Sequence, residues 1–334
     1  MEKCITLAHG AGGRQTEELI RKLFRPYFQN PEFTADDAAI LHIEEGRLAM
    51  TTDGFVVSPC EFNGGDIGKL SICGTVNDLA CMGARPLYLT CSFIIEEGFA
   101  LDTLERIVRS MAEIAGEAGV RIVAGDTKVV GKGQADGVYI TTTGIGACIS
   151  ECNISGSLAK AGDAVIVTRD IGRHGCTILL EREQLGIEAD IKSDCAPLWV
   201  CVEKMLKVSK DIHVIRDATR GGVGTVLYEI ARESGVGICM LERDIPVCGE
   251  VRGVCGLLGL DPLFLANEGT MVVIVPQEDA GKVLNALQEV PVSQNARIIG
   301  KVVEDLPGKI TMVTELGTEV MLPQPEGELL PRIC

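Results

Sequence analysis

The stretch IRDATRGGVGTVLYEI, residues 215–230, decides the fold because it joins a strand to a helix through an acidic, glycine-bearing turn. The segment that leads into it, residues 211–215, is mostly apolar and predicts a short strand. After Gly221 and Gly222, apolar side chains recur at helical spacing, and Gly235 marks the end of the helix. This order of elements indicates an α/β chain.

The first half of the chain shows a similar order around Gly125-Asp126-Thr127-Lys128. A strand predicted over residues 120–124 runs into an aspartate, a threonine and a basic residue, as the second-half strand does. Strands alternate with amphipathic helices along the rest of the chain. We therefore predict the α/β (α+β) class, with two domains of mixed β-sheet flanked by helices on one side of each sheet.

The length of 334 residues is too great for one ordinary core and suits two domains. A polar, glycine-bearing segment over residues 153–162 separates the halves, so the predicted domains are residues 1–152 and 153–322. Residues 323–334 contain two prolines and a glycine near their start, which discourage helix and strand alike. They are predicted to form a flexible tail that ends in the thiol of Cys334.

Composition excludes several classes of function. A net charge of -16 argues against nucleic acid and acidic membrane surfaces as partners. There is no secretory signal pattern and no apolar run long enough to span a membrane. The 14 cysteines include no CxxC pair, which favours buried free thiols in a reducing cytoplasm. With only four histidines, a thiol metal carrier is the weakest alternative.

Five aspartates lie at strand ends or inside apolar segments. Each alone is explained most simply as a cap or a turn residue, but together they suggest oxygen ligands for Mg²⁺. Mg²⁺ binds through few carboxylates together with substrate phosphates, so this set points to a nucleoside triphosphate. The five are Asp37, Asp53, Asp78, Asp126 and Asp217.

The chain has neither a P-loop motif nor the protein-kinase motifs, so the phosphates need another cradle. The glycine loop that starts at His9 and Gly10, and the Arg220-Gly221-Gly222 turn, both offer backbone N–H groups. Lys69 and Lys128 are candidate phosphate-binding charges, with solvated surface lysines as the alternative. Glu268 is either a turn cap or a general base.

These segments together resemble the HypE family of hydrogenase maturation factors over the whole chain. The terminal Pro331-Arg332-Ile333-Cys334 is the most specific of them because it falls at the last residue. More broadly, the chain resembles the superfamily of aminoimidazole ribonucleotide synthetase, selenophosphate synthetase and thiamine-monophosphate kinase. The other matching segments are His9-Gly-Ala-Gly-Gly, Asp37-Ala-Ala, Asn77-Asp78, Gly125-Asp126-Thr127-Lys128, Asp217-Ala-Thr-Arg-Gly-Gly and Asn267-Glu268-Gly269.

The resemblance implies an aminoimidazole ribonucleotide synthetase-like fold and an ATP-dependent carbamoyl dehydratase. A HypF-type carbamoyltransferase would place a carbamoyl group on Cys334, and ATP would then be used to dehydrate this thiocarbamate to a thiocyanate. The cyano group would pass to iron in a HypC–HypD complex, as a ligand of the [NiFe] hydrogenase centre. The first domain would bind ATP and form a homodimer, with ATP near that interface.

The chemistry that the resemblance implies suggests roles for individual residues. Cys334 would carry the reacting group. We assign Lys128 to neutralise the oxygen that is phosphorylated and Glu268 to remove protons from nitrogen, with an exchange of these two roles or action through water as the alternatives. Leu330, Arg332 and Ile333 would dock the tail. Mg²⁺ would be held by the five aspartates, some of them through water. The nucleotide and Mg²⁺ site would comprise Asp37, Asp53, Asp78, Asp126, Asp217, Asn77, Thr127, Asn267, His9, Gly10 and Lys69.

Two other functions fit part of the sequence. A small-molecule kinase or synthetase of the selenophosphate or thiamine phosphate type would share the ATP site, but it would leave the terminal cysteine unexplained. Cys4 precedes the glycine loop in an apolar setting, which argues against a selenophosphate synthetase. A scaffold that binds nucleotide and presents a docking tail is the non-enzymatic alternative, and phosphate release would distinguish it.

Overall fold

The computed structural model describes residues 14–19, 39–43, 46–149, 153–182 and 186–324. These residues form two main β-sheets, one in the N-terminal half (up to residue 149) and one in the C-terminal half (from residue 153). Each sheet contains both parallel and antiparallel neighbours, and helices pack against both. The predicted fold class of mixed sheets flanked by helices is confirmed.

Within the described residues, the N-terminal sheet has five strands, of which only β5 and β6 run parallel to each other. A short hairpin, β3–β4, leads into the second helix. In spatial order, the strands of the sheet are β1 (Ala39–Ile43), β2 (Gly46–Phe55), β7 (Val138–Cys148), β5 (Ala84–Glu96) and β6 (Arg121–Val130), and the hairpin is β3 (Glu61–Phe62) with β4 (Gly65–Asp66).

Three helices of the N-terminal half are described: α1 (Arg14–Leu19), α2 (Ile67–Cys81) and α3 (Leu101–Ala118). Asp66 caps α2, because its Oδ1 accepts a hydrogen bond of 2.9 Å from the backbone N–H of Lys69. Gly119 adopts the left-handed conformation, with φ 69°, and ends α3 as its position in the sequence predicts.

The C-terminal sheet has seven strands, of which β10 and β13 are parallel and the remaining neighbours antiparallel. It begins at Ala164, whereas the N-terminal sheet ends at Cys148, so the predicted domain boundary at 152/153 falls between them. In spatial order the strands are β14 (Glu319–Met321), β13 (Ile310–Val313), β10 (Gly237–Leu241), β12 (Arg297–Val303), β8 (Ala164–Val167), β11 (Met271–Val275) and β9 (Val214–Asp217).

The helices of the C-terminal half include α6, whose end at Gly235 is confirmed by a left-handed φ of 67°. No helix within the described residues is long and apolar enough to cross a membrane. The helices are α4 (Arg173–Arg182), α5 (Trp199–Val208), α6 (Gly222–Ser234), α7 (Gly249–Leu258) and α8 (Gln277–Gln288), with short 3₁₀ turns at Glu242–Asp244, Pro262–Phe264 and Pro291–Ser293.

Helices cover both faces of the C-terminal sheet, so the prediction of helices on one side is wrong for this half. Val165 and Val167 of β8 pack in the core that contains α6. Ala164 and Ile166 of the same strand pack in the core that contains α5 and α8. Because every residue of β8 and β11 is buried, these strands lack the polar alternation of a half-exposed sheet.

Helix α2 lies between the two halves. The sequence predicts one apolar face on it, but the structure buries it on nearly all sides. Its last residues, Ala80 and Cys81, share a core with Leu198 and Cys201 of the C-terminal half. The polar residues near its end, Asn77 among them, therefore lie at the junction between the halves.

Candidate functional site at the junction of the two halves

The segment that precedes β11 is bonded to the turn that follows β9. The backbone N–H of Asn267 donates to the carbonyl oxygen of Ala218 at 3.0 Å, and Ala218 N–H donates to Thr270 at 2.9 Å. The Asn267 side chain also donates to Ala218 at 2.9 Å, while its Oδ1 accepts from Gly172 N–H at 2.7 Å. Asn267 thus holds backbone segments together beside Asp217, the last residue of β9.

Glu268 is buried at this junction, with 4% of its surface exposed. Burial raises the pKa of its carboxyl well above the usual value, and nearby acidic groups raise it further, first Cys195 and then Asp217, Asp194 and Asp53. These neighbours come from both halves of the chain. A buried carboxyl among other acidic groups is costly unless hydrogen-bond donors or a cation offset its charge.

Asp53 and Asp217 are two of these acidic residues, and they belong to opposite halves of the chain. Asp53 lies inside β2, rather than at its end as predicted, and its Oδ1 accepts from the N–H of Gly54 at 2.8 Å. Burial raises the pKa of Asp53, and the positive charge of Arg220 opposes that rise. Since Arg220 belongs to the C-terminal half, its charge acts across the junction.

Asp78 lies near the end of α2 and is bonded to β2. Its Oδ2 accepts a hydrogen bond of 2.8 Å from the hydroxyl of Thr51. Thr51 and Asp53 are two residues apart on β2, so both face α2 at a separation of about 7 Å along the strand. The structure therefore places Asp78 beside β2, the strand that carries Asp53.

Asn77 bonds three backbone groups of the C-terminal half. Its Nδ2 donates to the carbonyl oxygens of Ala196 at 3.1 Å and Glu268 at 3.4 Å, and its Oδ1 accepts from the N–H of Leu198 at 2.8 Å. With 3% of its surface exposed, the side chain is enclosed. Its role in this structure is to hold the junction around Glu268.

Asp126 and Lys128 lie on the other face of the N-terminal sheet. Asp53 is paired with Thr142, Thr142 with Cys91, and Cys91 with Gly125, so these four positions share the face that packs on α2. The neighbour of Gly125 along β6, Asp126, therefore points the opposite way.

The Asp126–Lys128 pair is exposed on that outer face. Lys128 Nζ lies 2.7 Å from Asp126 Oδ2, with 66% of the lysine side chain and 57% of the aspartate side chain exposed. Hydrogen bonds from Lys128 and from the N–H of Thr127 lower the pKa of Asp126. Both residues lie within β6, which extends beyond the strand that the sequence predicts. Within one chain, this pair does not join Glu268.

Lys69 lies in the first turn of α2, where its Nζ donates to the carbonyl oxygen of Gly64 at 3.0 Å. Its backbone N–H belongs to the Asp66 cap. The remaining predicted site residues lie outside the described residues. They are His9, Gly10, Asp37, Leu330, Arg332, Ile333 and Cys334.

The described residues contain no group of three or more His, Cys, Asp or Glu side chains arranged to hold a metal ion. Of the five predicted Mg²⁺ ligands, Asp126 lies on the opposite face from Asp53, and Asp37 lies outside the described residues. Asp53, Asp78 and Asp217 remain on the junction side. The five-aspartate magnesium site therefore stays a prediction.

The sequence does not predict the roles of two residues at this site, Asp194 and Arg220. Asp194 looks like the cap of the helix that follows, but α5 begins at Trp199 and its first turn has no side-chain cap. Asp194 instead bonds the Glu268 segment. Arg220 is a candidate in the sequence only through its backbone, whereas its charge acts on Asp53. Its position directly before two glycines at a helix start is the signal that marks it.

Comparisons with known proteins match both halves of the chain. The N-terminal domain family of AIR synthase related proteins matches residues 35–148, and the corresponding C-terminal domain family matches residues 160–313. Carbamoyl dehydratase HypE of Azotobacter vinelandii is 48% identical over 331 residues, covering 99% of this chain and 97% of that protein.

Two crystal structures of HypE proteins are also similar. One, of a HypE–HypF complex, has a TM-score of 0.88 at 46% identity and covers 92% of this chain and 99% of that chain. The other, of HypE in complex with ATP, has a TM-score of 0.83 at 47% identity and covers 99% of this chain and 100% of that chain.

The two matched domains define an AIR synthase related protein whose halves meet at an acidic junction. Within that class, the chain belongs to the carbamoyl dehydratase HypE family. The family indicated by the sequence motifs is confirmed, and the class of enzyme with it. The small-molecule kinase or synthetase has less support, because the similarity to HypE proteins extends over nearly the full length of the chain.

Proposed function

We propose that this protein uses ATP to dehydrate an S-carbamoyl group on its own Cys334 to an S-cyano group. The observation that carries the proposal is the enclosed Glu268, surrounded by the carboxyls of Asp53 and Asp217 from opposite halves. The binding of ATP by a HypE protein of 47% identity supports the choice of nucleotide. The product would supply the cyanide ligand of iron in [NiFe] hydrogenase maturation.

The reaction needs a better leaving group than an amide oxygen. The carbamoyl oxygen attacks the γ-phosphorus of ATP, and ADP leaves. Loss of one proton from nitrogen gives an imidate phosphate whose carbon is still bonded to the sulfur of Cys334. The second N–H proton is then removed, the C–O bond breaks, and phosphate leaves as the C≡N bond forms. The balance is one thiocarbamate and one ATP giving one thiocyanate, one ADP and one phosphate, with the carbamoyl oxygen in the phosphate.

Glu268 is the proposed base for the nitrogen protons. Its enclosure excludes water, which would otherwise hydrolyse the imidate phosphate. Asn267 and Asn77 are proposed to support this side chain rather than to touch the nucleotide, because their amides bond backbone groups. Arg220, whose charge reaches Asp53, is suited to an anionic phosphoryl group at the same place.

Mg²⁺ is the proposed counter-ion of the carboxylates on the junction side. Burial raises the pKa of Asp53 and, more strongly, that of Glu268, and nearby acidic groups add to the rise at Glu268. Asp53, Asp78 and Asp217, with Asp37, are the oxygen donors proposed to hold the ion together with phosphate oxygens. When bound, the ion offsets the negative charge of the transferring phosphoryl group.

Lys128 is proposed to act in a neighbouring copy of the chain. It lies on the opposite sheet face from Asp53, so within one chain it does not face the same pocket as Glu268. A homodimer formed through the N-terminal halves would bring the outer face of one subunit to the junction of the other. Asp126 and Thr127, on the same strand, would accompany Lys128, and Lys69 would stay with its own subunit.

The tail is proposed to begin at residue 323 and to carry Cys334 between sites. Both backbone polar groups of Leu322 are hydrogen-bonded. Its N–H donates to the carbonyl oxygen of Ile310 at 3.0 Å, and its carbonyl oxygen accepts from the hydroxyl of Tyr228. The twelve residues that follow span up to about 40 Å when extended. Leu330, Arg332 and Ile333 would dock the arm during the reaction.

The proposed partners follow from the route of the carbamoyl group. A HypF-type carbamoyltransferase would load Cys334, and a crystal structure of a HypE–HypF complex, with a HypE chain 46% identical to this one, supports that pairing. A HypC–HypD iron complex is the proposed acceptor of the cyano group, and the cytoplasm is the proposed location.

Mass spectrometry tests the proposal directly. The chain is incubated with the carbamoyltransferase, carbamoyl phosphate and ATP, and Cys334 should first gain a carbamoyl group and then lose the mass of one water. If the carbamoyl oxygen carries a heavy isotope, that isotope should appear in inorganic phosphate. Equal modification of Cys334→Ala would overturn the assignment of the thiol, and label released into water would overturn the phosphorylation step.

A further inference from the structure

Asp194 carries a wholly buried carboxylate to which the proposed reaction gives no task. The residue has no exposed surface, and it lies in the segment between α4 and α5. A buried carboxylate is costly unless donors surround it. At this position the donors come from one short segment of the chain, and that segment contains Glu268.

Three hydrogen bonds connect the Asp194 carboxylate to consecutive residues. Oδ1 accepts from the backbone N–H of Glu268 at 3.1 Å, and Oδ2 accepts from the N–H of Gly269 at 2.9 Å and from the hydroxyl of Thr270 at 2.9 Å. Hydrogen bonds to an ionised acceptor are the strong ones, so this arrangement fixes the course of the backbone through Glu268.

The other side of the Glu268 backbone is bound as well. Its carbonyl oxygen accepts from the N–H of Ala196 and from Asn77 Nδ2, both at 3.4 Å. Gly269 packs so closely on the Asp194 carbonyl that a Cβ at that position would lie 1.8 Å from the oxygen. Arg169 Nη1 donates to the same carbonyl oxygen at 3.2 Å and so holds the Asp194 backbone from the far side.

We propose that Asp194 is a positioning residue, which holds the backbone of Glu268, Gly269 and Thr270 so that the Glu268 carboxyl points at the reacting nitrogen. It touches neither ATP nor the thiocarbamate and acts through the loop that it binds. This inference rests on the proposed role of Glu268 as the base. A displacement of the loop by about 1 Å is enough to cost on the order of a hundredfold in rate.

Two substitutions remove the contact in different ways. Asp194→Asn keeps the size of the side chain but replaces one acceptor oxygen with an N–H₂ group that faces donors. Thr270→Val removes a single donor and leaves Asp194 with two, so it should fold even if the asparagine variant does not. Thr270→Ser restores the hydroxyl and is the conservative rescue.

The readout is single-turnover conversion of S-carbamoyl to S-cyano on full-length, carbamoylated chain, with the ATP dissociation constant measured on the same samples. Asp194→Asn should lower the rate constant about 10- to 100-fold and Thr270→Val about tenfold, with ATP affinity changed less than threefold. Thr270→Ser should recover most of the rate. Asp163→Asn is the matched control, since Asp163 is also buried and bonds His213 at 2.7 Å in the same half.

The outcomes separate this inference from the proposed function. If Glu268→Gln turns over normally, the base assignment fails. If Glu268→Gln is inactive while Thr270→Val and a folded Asp194→Asn turn over as the unaltered chain does, the positioning role alone fails. A purely structural role predicts that Asp163→Asn and Asp194→Asn lose rate in proportion to their lost stability, and that result would also overturn the inference.

Discussion

The backbone N–H of Leu198 donates a buried hydrogen bond of 2.8 Å to the Oδ1 of Asn77, so a side chain of the N-terminal half is held by the C-terminal half. The Nδ2 of the same side chain reaches the carbonyl oxygens of Ala196 and Glu268. One amide therefore connects the joint between the halves to the proposed base. Asn77 therefore contributes to both stability and turnover, and a control substitution elsewhere at the junction distinguishes the two contributions.

Asn77→Ala should lower both stability and turnover. The substitution leaves the N–H of Leu198 and the carbonyl of Ala196 without their partner, at a cost of about 1–3 kcal/mol. Asn63→Ala is the control, because Asn63 also crosses the junction, donating to Ile191 at 2.9 Å, but has no contact with Glu268 among its bonds. Denaturant titration and single-turnover assays should show both variants less stable and only Asn77→Ala slower. Equal slowing of the two would contradict the link to Glu268.

Features decided by neighbours in the sequence could be predicted from it. Gly119 and Gly235 end their helices because each follows an apolar-periodic stretch and adopts the left-handed conformation that favours glycine. Asp217 ends its strand before a glycine turn, as the sequence indicates. The two mixed sheets follow from the order of such elements.

Features that depend on contacts between distant residues could not be predicted in this way. Asp194 stands before an apolar helix, as a cap would, yet its partners lie 74 to 76 residues further along the chain. The faces of Asp53 and Asp126 depend on the register of three strand pairs, which no local pattern specifies. The unbroken apolar runs of β8 and β11 indicate burial on both faces, a signal that the prediction of helices on one side overlooks.

Gly222→Ala and Gly253→Ala should change stability in opposite directions. Gly222 starts α6 with a φ of 64°, and a Cβ there would lie 2.5 Å from the carbonyl oxygens of Leu263 and Leu265. Strain and contact together should cost at least about 2 kcal/mol. Gly253 lies inside α7 with no atom within 4 Å of a Cβ, so alanine should stabilise by about 0.5–1 kcal/mol. Chemical denaturation measures both, and an unchanged midpoint for Gly222→Ala would contradict the geometry.

Acid should destabilise the chain through His174. Burial lowers the pKa of this side chain to about 3, whereas an unfolded histidine takes up a proton near pH 6.5. Between these values the unfolded chain binds more protons, so the stabilising contribution is complete above about pH 6.5 and falls on acidification by up to ~1.4 kcal/mol per pH unit. His174→Asn should therefore show a shallower loss of unfolding free energy between pH 6.5 and 4 in urea titrations.

Ser193→Ala is the control for that slope. Its hydroxyl lies 2.8 Å from His174 Nδ1, so its loss should lower stability at every pH but leave the histidine buried. The acid slope of Ser193→Ala should then match that of the unaltered chain. A slope of His174→Asn equal to that of the unaltered chain would show that another group titrates in this range.

Dehydration activity should return when subunits that lack Lys128 are mixed with subunits that lack Glu268. If each site takes Lys128 from one chain and Glu268 from the other, a mixed dimer of Lys128→Ala and Glu268→Gln contains one intact and one doubly defective site. Random association makes half of the dimers mixed, so dehydration should recover to about a quarter of the unaltered rate. Each variant alone should be inactive, and dimer formation is checked by native mass spectrometry.

Asp53→Asn mixed with Glu268→Gln is the matched control. The negative charge of Asp53 acts on Glu268 of the same chain, so both residues belong to one site. In a mixed dimer of this pair, each of the two sites lacks one carboxyl, and activity should not recover. Only a site shared between subunits makes the Lys128→Ala and Glu268→Gln mixture active while the Asp53→Asn and Glu268→Gln mixture stays inactive. If the first mixture does not recover activity, or if both mixtures do, Lys128 does not act across subunits.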